Sequence, residues 1–146
     1  MKVDRTIEIK APPQRVWALL MDPRRLEDWV SVHKSLKKAP AGQLHKGSEL
    51  IQCLHMAGTS FNVHWEVDQA DEPRRAVWEG RGPMRSKAHV VYELEPAGDG
   101  RTRFRYTNEF KAPGGPLGGL VDRVTGPTAE RAADKTLSNL KALLES

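Results

Sequence analysis

The spacing of apolar residues changes once along this chain, and that change constrains the fold more than any other feature. From residue 48 to 112 apolar side chains recur at every second position, the period of a strand with one buried face. Gly58, Pro73, 82–83 and 98–100 interrupt this stretch, as turns divide an antiparallel meander. From residue 117 the period becomes helical. The sequence therefore predicts a sheet followed by one long helix that covers it.

The residues before the meander predict one further strand and two short helices. Apolar and polar residues alternate over residues 3–9, which indicates a half-buried strand. A helix with Pro13 in its first turn follows and ends at Asp22-Pro23, and a further helical turn covers residues 24–29. The fold class is therefore α+β, and we expect residues 1–146 to form a single domain.

The first hairpin of the meander sets which strand faces point inward. A two-residue loop at Gly58-Thr59, with glycine in the first position of a type II′ turn, pairs Leu54 with Val63. A pairing slipped by one residue would instead set Ile51, Cys53 and His55 against the apolar side chains of the next strand. We therefore prefer the first register. The inner face then carries Leu50, Gln52, Leu54, Met56, Phe61, Val63, Trp65 and Val67.

The last hairpin is predicted by the same argument. A three-residue loop at 98–100 pairs Leu94 with Phe104 and Tyr92 with Tyr106 on the inner face. The outer face then pairs opposite charges, Glu93 with Arg105 and Glu95 with Arg103. On the strand between the two hairpins we place Trp78 and Gly80 inward, because the alternative buries charged neighbours.

The C-terminal residues predict an amphipathic helix. We expect Gly126-Pro127 to kink or briefly break it, since Pro127 lacks the N–H that would bond to residue 123. The apolar stripe consists of Leu117, Leu120, Val121, Val124, Thr128, Ala132, Ala133, Leu137, Leu140 and Leu144.

Charge and cysteine usage exclude several classes of function. The 23 Lys and Arg against 19 Asp and Glu give a net charge of +4, but the two signs are interspersed, so we predict no nucleic-acid partner. The longest apolar run, residues 16–21, is too short to cross a bilayer, so we predict no stable membrane insertion. Cys53 is the single cysteine, which fits a reducing compartment. We therefore expect a cytoplasmic protein, either a monomer or a homodimer.

The order of these segments resembles the START/Bet v 1-like superfamily, and within it the polyketide cyclase/dehydrase and lipid-transport-like (SRPBCC) proteins. The likeness is carried by Trp29 and by residues 11–23 (APPQRVWALLMDP), 47–49 (GSE), 73–80 (PRRAVWEG), 92–96 (YELEP), 98–100 (GDG) and 137–144 (LSNLKALL). It implies a helix-grip fold, in which a curved antiparallel sheet wraps around a long C-terminal helix and a hydrophobic cavity lies between the sheet and the helix. What the cavity holds varies across such proteins, so the resemblance implies the fold more strongly than the ligand.

The inner face supplies the candidate binding site for a small hydrophobic molecule, in a cavity of roughly 300–1,000 Å³. Its polar side chains are more numerous than a dry core usually accepts. With Trp29 near the mouth, the predicted ligand-binding residues are Trp29, Leu50, Gln52, Leu54, Phe61, Val63, Trp65, Trp78, Ser86, Tyr92, Tyr106, Asn108, Leu120 and Val124.

Three functions fit such a cavity: a ligand-binding or carrier protein, a polyketide cyclase or dehydratase, and a protein-interaction module such as relatives of this fold provide to chaperones. A cyclase needs a proton donor or acceptor tuned toward neutral pH, and the predicted inner face offers no histidine or carboxylate. Tyr92 or Tyr106 could act as an acid, or could with Asn108 polarise a carbonyl. We therefore favour ligand binding, with the cyclase as the alternative, and predict no cofactor.

One set of metal-ligand residues needs a structural test. In the preferred register Cys53 lies opposite His64 on the outer face, and His55 is two residues along the same strand. Same-strand neighbours lie roughly 7 Å apart, and cysteine and histidine on a solvated sheet are ordinary. We do not predict a metal site from this spacing.

Overall fold

A computed structural model describes the backbone of residues 1–111 and 118–146, and the side chains of residues 1–111 and 126–146. The strands are β1 (Lys2–Ile9), β2 (His33–Lys38), β3 (Glu49–Met56), β4 (Thr59–Asp71), β5 (Arg75–Arg81), β6 (Lys87–Pro96) and β7 (Thr102–Lys111). The α-helices are α1 (Pro13–Leu20), α2 (Leu26–Trp29) and α3 (Gly118–Glu145), with a 3-10 turn at Pro23–Arg25 before α2.

The strands form one curved antiparallel sheet in the order β1-β7-β6-β5-β4-β3-β2. Helix α3 covers its inner face, where Leu137 and Leu140 join Tyr92 and Phe104 in one buried apolar cluster. The predicted α+β helix-grip architecture is confirmed. No helix in the described part of the chain is both long and apolar enough to cross a membrane.

The two short helices begin and end where the proline positions predict. Pro13 occupies the first turn of α1, and Val16 and Leu20 on this helix are fully buried. The Asp22 carboxylate accepts a hydrogen bond from the backbone N–H of Arg24 at 3.1 Å and so caps the 3-10 turn that leads into α2. These helices place Trp29 at the end of α2, beneath the sheet.

The β6–β7 hairpin has the predicted register, with Tyr92 opposite Tyr106. Arg103 donates to Glu95 at 2.8 Å, as its position predicts. The predicted pairing of Glu93 with Arg105 is confirmed, and the Arg105 guanidinium also donates to Asp4 of β1 at 2.7 Å. β1 lies on the other side of β7, so Arg105 has a carboxylate on each flank.

The β3–β4 hairpin corrects the predicted turn while keeping the predicted faces. The loop is Ala57-Gly58, with φ angles of 54° and 77°, which is the type I′ pattern of two positive values. Leu54 therefore pairs with Phe61 instead of Val63. Moving a two-residue loop by one position shifts each pairing by two residues, so the same side chains still face inward.

The sequence analysis missed the edge strand β2. Its six residues contain one apolar side chain, Leu36, so no alternation is visible. The register of β2 against β3 shifts after His33 and again after Leu36, as in a bulged edge strand. β2 brings His33 beside the inner face of β3.

Helix α3 runs through Pro127 as one element, so of the predicted kink or brief break, the break is excluded. In its described part the predicted stripe is confirmed at Ala133, Leu137, Leu140 and Leu144, which are buried, while Thr128 and Ala132 are half-buried. Leu117 and the side chains of Leu120, Val121 and Val124 lie outside the described residues.

Candidate functional site

A cavity of about 120 Å³ lies between the inner sheet face and α3. It is smaller than the volume expected from the sequence and is close to an engineered cavity of about 150 Å³ that binds benzene. The predicted site residues that line it are Trp29, Gln52, Leu54, Phe61, Val63, Trp65, Trp78, Tyr92, Tyr106 and Asn108. Aliphatic residues of β1, β6 and α3, such as Val3, Val90 and Ala133, complete the wall.

Two of the other predicted site residues, Leu50 and Ser86, are not among the described residues that line this cavity. Leu50 is buried in the apolar core. Ser86 is buried at the turn before β6, where its hydroxyl donates to the carbonyl of Pro83 at 2.7 Å. The side chains of Leu120 and Val124 lie outside the described residues.

Aromatic rings form one continuous wall of the cavity. Trp65, Trp78, Tyr92 and Tyr106 follow one another across four strands, with successive ring centroids 5.8, 5.7 and 6.1 Å apart. Trp29 on α2 approaches the ring of Tyr92 at 6.1 Å. These spacings are those of favourable aromatic pairs. The wall therefore holds its shape through contacts among its own rings.

Gly80 makes room for the Trp65 ring. A Cβ atom on Gly80 would lie 2.7 Å from two ring carbons of Trp65 and 2.9 Å from a methyl carbon of Val63. Trp65 is directly opposite Gly80 on the neighbouring strand. The absence of a side chain on β5 thus lets the indole lie against the sheet.

A chain of hydrogen bonds joins Trp65 to the edge strand. The indole Nε1 of Trp65 donates to the side-chain oxygen of Gln52 at 2.9 Å, and the Gln52 amide nitrogen lies 2.9 Å from Nδ1 of His33. Because an indole can only donate, the Gln52 amide group must turn its nitrogen toward His33. Nδ1 of His33 is then the acceptor, so its ring proton is on Nε2.

His33 is a polar neighbour of the inner face that the sequence analysis did not find. Burial lowers its pKa, and the Glu27 carboxylate opposes that shift to a smaller extent. Both the lowered pKa and the acceptor role of Nδ1 favour the neutral imidazole. The sequence does not reveal the position of His33, because β2 lacks the apolar alternation that would identify it as a strand.

A second polar pair lies on β7. The Asn108 amide donates to the Tyr106 hydroxyl at 3.0 Å. Burial raises the pKa of Tyr106 and raises that of Tyr92 further, with the neighbouring Tyr106 adding to the shift of Tyr92. Both phenols are therefore protonated near neutral pH and can donate a hydrogen bond.

The residues considered for a metal site are separated by the observed register. Asn62, not His64, lies opposite Cys53, and His64 pairs with Ile51. His55 hydrogen-bonds the Ser60 hydroxyl through Nδ1 at 2.9 Å. Among the described residues, no three His, Cys, Asp or Glu side chains are grouped so as to hold a metal ion.

The curved sheet, the long covering helix and the apolar cavity between them define a helix-grip protein with an internal site. The chain belongs to the polyketide cyclase / dehydrase and lipid transport family, whose family model matches residues 1–145.

Comparisons with individual proteins support the same fold. An uncharacterised protein of Mycobacterium tuberculosis is 23% identical over 131 residues, which cover 89% of this chain and 92% of that protein. A crystal structure from Thermus thermophilus has a TM-score of 0.77 at 19% identity and covers 97% of this chain and 95% of its own. A protein in the dynemicin biosynthetic locus has a TM-score of 0.66 at 16% identity, covering 99% of this chain and 47% of its own.

Proposed function

We propose that this protein binds a small hydrophobic or aromatic molecule non-covalently in the cavity between the sheet and α3. The observation that carries the proposal is the composition of the cavity wall. The wall is aromatic and aliphatic with a few hydrogen-bonding groups, and no Asp, Glu, Lys or Arg side chain is among its described residues. This composition is typical of sites for apolar ligands.

The family description supports a lipid or a polyketide-like molecule as the ligand. The fold likeness to a protein in the dynemicin biosynthetic locus is consistent with that ligand class. We assign binding to the aromatic wall and its polar neighbours, with Tyr92 at the centre of the ring contacts.

A polyketide cyclase or dehydratase is the second candidate, and the Tyr106 hydroxyl beside Asn108 is the observation that favours it. Proton transfer to a bound ketide would need a group tuned toward neutral pH. The raised pKa of Tyr106 makes it a weak acid, and the acceptor nitrogen of His33 is already bonded to Gln52. Binding therefore accounts for the described groups more simply.

The interaction-module hypothesis receives less support from the surface. Such a module needs an exposed apolar patch. Within the described part of the chain, Met84 is the one large apolar side chain that is strongly exposed.

Ligand titration tests the proposal directly. Native mass spectrometry of freshly purified protein should detect a co-purified apolar compound. A panel of fatty acids, sterols and aromatic polyketides should change the intrinsic fluorescence, since three of the four tryptophans line the cavity. If no member changes the fluorescence or the chemical shifts of cavity residues, the binding assignment is wrong.

Two variants separate binding from catalysis. Tyr106→Phe and Asn108→Ala should each weaken affinity by one hydrogen bond, about 0.5–1.5 kcal/mol or two- to twelvefold. Thr107→Val is the matched control, because the Thr107 hydroxyl donates to the Asp4 carboxylate and Thr107 is not among the cavity-lining residues. If the wild type converts a ketide and Tyr106→Phe lowers kcat about a hundredfold with binding intact, Tyr106 is a catalytic acid and the carrier proposal fails.

A further inference from the structure

The Tyr106 and Asn108 side chains line the cavity and form a polar pair that is only partly hydrogen-bonded. The Asn108 amide nitrogen donates to the Tyr106 oxygen at 3.0 Å, so the Tyr106 proton and the Asn108 carbonyl oxygen stay free. Neither of these groups has another partner in the described part of the chain. An amide turned the other way would exchange the two roles and still leave one donor and one acceptor free. The pair therefore lacks one partner that both donates and accepts.

The free Asn108 oxygen borders open space. Within the described residues, the buried side-chain nitrogen and oxygen atoms that have neither a partner nor accessible surface belong to Trp29 and Trp78. The unbonded oxygen of Asn108 is not such an atom, so it has accessible surface, and the Asn108 side chain is half-buried in the cavity wall. Tyr106 beside it is 8% exposed and keeps its proton near neutral pH, because burial raises its pKa. A group bound in the cavity can therefore reach this pair.

The two free groups are close enough for one ligand atom to bond to both. Bond lengths hold the nitrogen and oxygen of an amide about 2.3 Å apart. The Asn108 oxygen is therefore no more than about 5.3 Å from the Tyr106 oxygen. One hydroxyl oxygen spans up to about 5.6 Å when it lies about 2.8 Å from each partner. A ligand hydroxyl can thus accept from Tyr106 and donate to Asn108, which completes the pair.

The strand register separates this pair from the other end of the cavity. Asn108 pairs with Val90 on β6, and Val90 pairs with Trp78 on β5. Trp78 in turn pairs with Val67 on β4. Phe61 lies six residues before Val67 on the same strand, which is roughly 20 Å along β4. The polar pair and Phe61 therefore lie at different ends of the inner face.

The far end of the cavity is apolar and partly open. Its lining residues Leu54, Met56 and Phe61 are half-buried, and we call them the apolar end. The polar groups of Trp65 and Gln52, between the two ends, are already bonded to each other. No Lys or Arg is among the described lining residues, so a buried carboxylate would have no cationic side chain to pair with. The wall therefore fits a neutral molecule with one hydrogen-bonding end and one apolar end.

Resting on the proposed function, we propose that the ligand is a neutral amphipathic molecule whose hydroxyl group bonds to Tyr106 and Asn108 and whose alkyl group lies at the apolar end. Tyr106 and Asn108 are then the specificity-determining residues for the hydroxyl. The assignment concerns binding alone and involves no chemical step.

Two probes test the recognition of the hydroxyl: 4-pentylphenol and pentylbenzene, which differ in that group alone. The measured quantity is the ratio of their dissociation constants in each variant, because the ratio cancels changes in cavity shape that affect both ligands. We expect Asn108→Leu and Tyr106→Phe each to reduce the preference for 4-pentylphenol about two- to twelvefold, the value of one hydrogen bond. Thr107→Val is the matched control on β7 and should leave the ratio unchanged, because Thr107 does not line the cavity.

The orientation of bound 4-pentylphenol is tested in the wild type by nuclear Overhauser contacts to protein methyl groups. The ring protons beside the hydroxyl should contact Val3 and Val90, which flank Asn108 on the neighbouring strands. The terminal methyl of the pentyl chain should contact Leu54 or Met56. Met21 is the control, because it is buried and is not among the cavity-lining residues.

The outcomes separate this inference from the proposed function. If both probes bind and the two variants leave the ratio unchanged, the pair does not recognise the hydroxyl, so the inference is wrong while apolar binding stands. A pentyl methyl beside Val3 and Val90 would also overturn it. If neither probe moves any cavity signal, the proposed function itself fails. The wild-type contacts decide the orientation even where a variant does not fold.

Discussion

The Trp65 indole donates to the side-chain oxygen of Gln52 at 2.9 Å across the β3–β4 pairing, and this bond ties the aromatic wall of the cavity to the edge of the sheet. The same Gln52 amide reaches His33 on β2. One buried amide thus satisfies a ring inside the cavity and a ring at its border.

Gln52→Leu should lower the free energy of unfolding by about 1–3 kcal/mol, because it leaves the buried Trp65 N–H without an acceptor. His33→Leu should cost less, since it leaves the bond between Trp65 and Gln52 in place and the half-buried His33 position admits water. Urea unfolding of both variants measures the difference. Equal losses would mean that the Trp65 bond contributes little.

Stability should fall as the pH drops through the range just below the ordinary His33 pKa of 6.5. Burial lowers the folded-state pKa, so the unfolded chain binds the proton more readily. This contribution is fully present above the unfolded pKa and is lost as the pH falls through the folded one. The His33→Gln variant should flatten that slope in urea titrations from about pH 7.5 to 5, whereas His64→Gln, at an exposed outer-face position, should keep it.

Gln52→Glu should raise the pKa of His33, because a carboxylate in contact with Nδ1 stabilises the imidazolium. A carboxylate oxygen can still accept the Trp65 N–H, so the wall should stay intact. Nuclear magnetic resonance titration of the His33 ring signals measures the shift. An unchanged or lower His33 pKa would contradict the hydrogen-bond chain.

Gly80→Ala should destabilise the fold by about 1–3 kcal/mol, because the new methyl group would lie 2.7 Å from the Trp65 ring. Gly126→Ala is the control on α3, where a Cβ would meet nothing within 4 Å apart from its chain neighbours. The gain in helix propensity is opposed there by Pro127, which disfavours helix at a preceding residue that carries a Cβ, so this change should alter stability little. The temperature of thermal unfolding should therefore be lowered much more by Gly80→Ala than by Gly126→Ala.

Thr136→Val should loosen the contact between α3 and the segment after α2. The backbone N–H of Ser31 donates to the Thr136 hydroxyl at 2.9 Å, and valine keeps the shape while removing that acceptor. We expect a loss of about 0.5–1.5 kcal/mol and faster hydrogen exchange of the Ser31 amide. Ser138→Ala, at an exposed position of α3, should leave that exchange rate unchanged.

Local pattern predicted the faces of the strands because a short loop leaves few geometric choices. At 98–100 the three-residue loop fixed the pairing of Tyr92 with Tyr106. At Gly58 the chain allowed two loop positions, and the observed one uses Ala57-Gly58. The choice changed each partner by two residues but left every inner-face side chain in place, because side chains alternate with a period of two.

Contacts between distant segments were decided by tertiary structure. Arg105 binds Asp4 because β1 pairs with β7, although about a hundred residues of chain separate them. A local sequence pattern does not predict which distant strand will pair with β7. His33 reaches Gln52 only because a weakly patterned strand adds to β3 with two register shifts.

The sequence by itself determined an antiparallel sheet covered by one long helix and an aromatic inner face, since hydrophobic period and turn residues act over short distances. Only the tertiary structure decided which polar groups on that face find partners. Trp65 meets Gln52, while Trp29 and Trp78 bury their N–H groups with no acceptor among the described residues. The reason is physical: a hydrogen bond requires the donor–acceptor distance to be right to within a few tenths of an ångström, and only packing brings these side chains together.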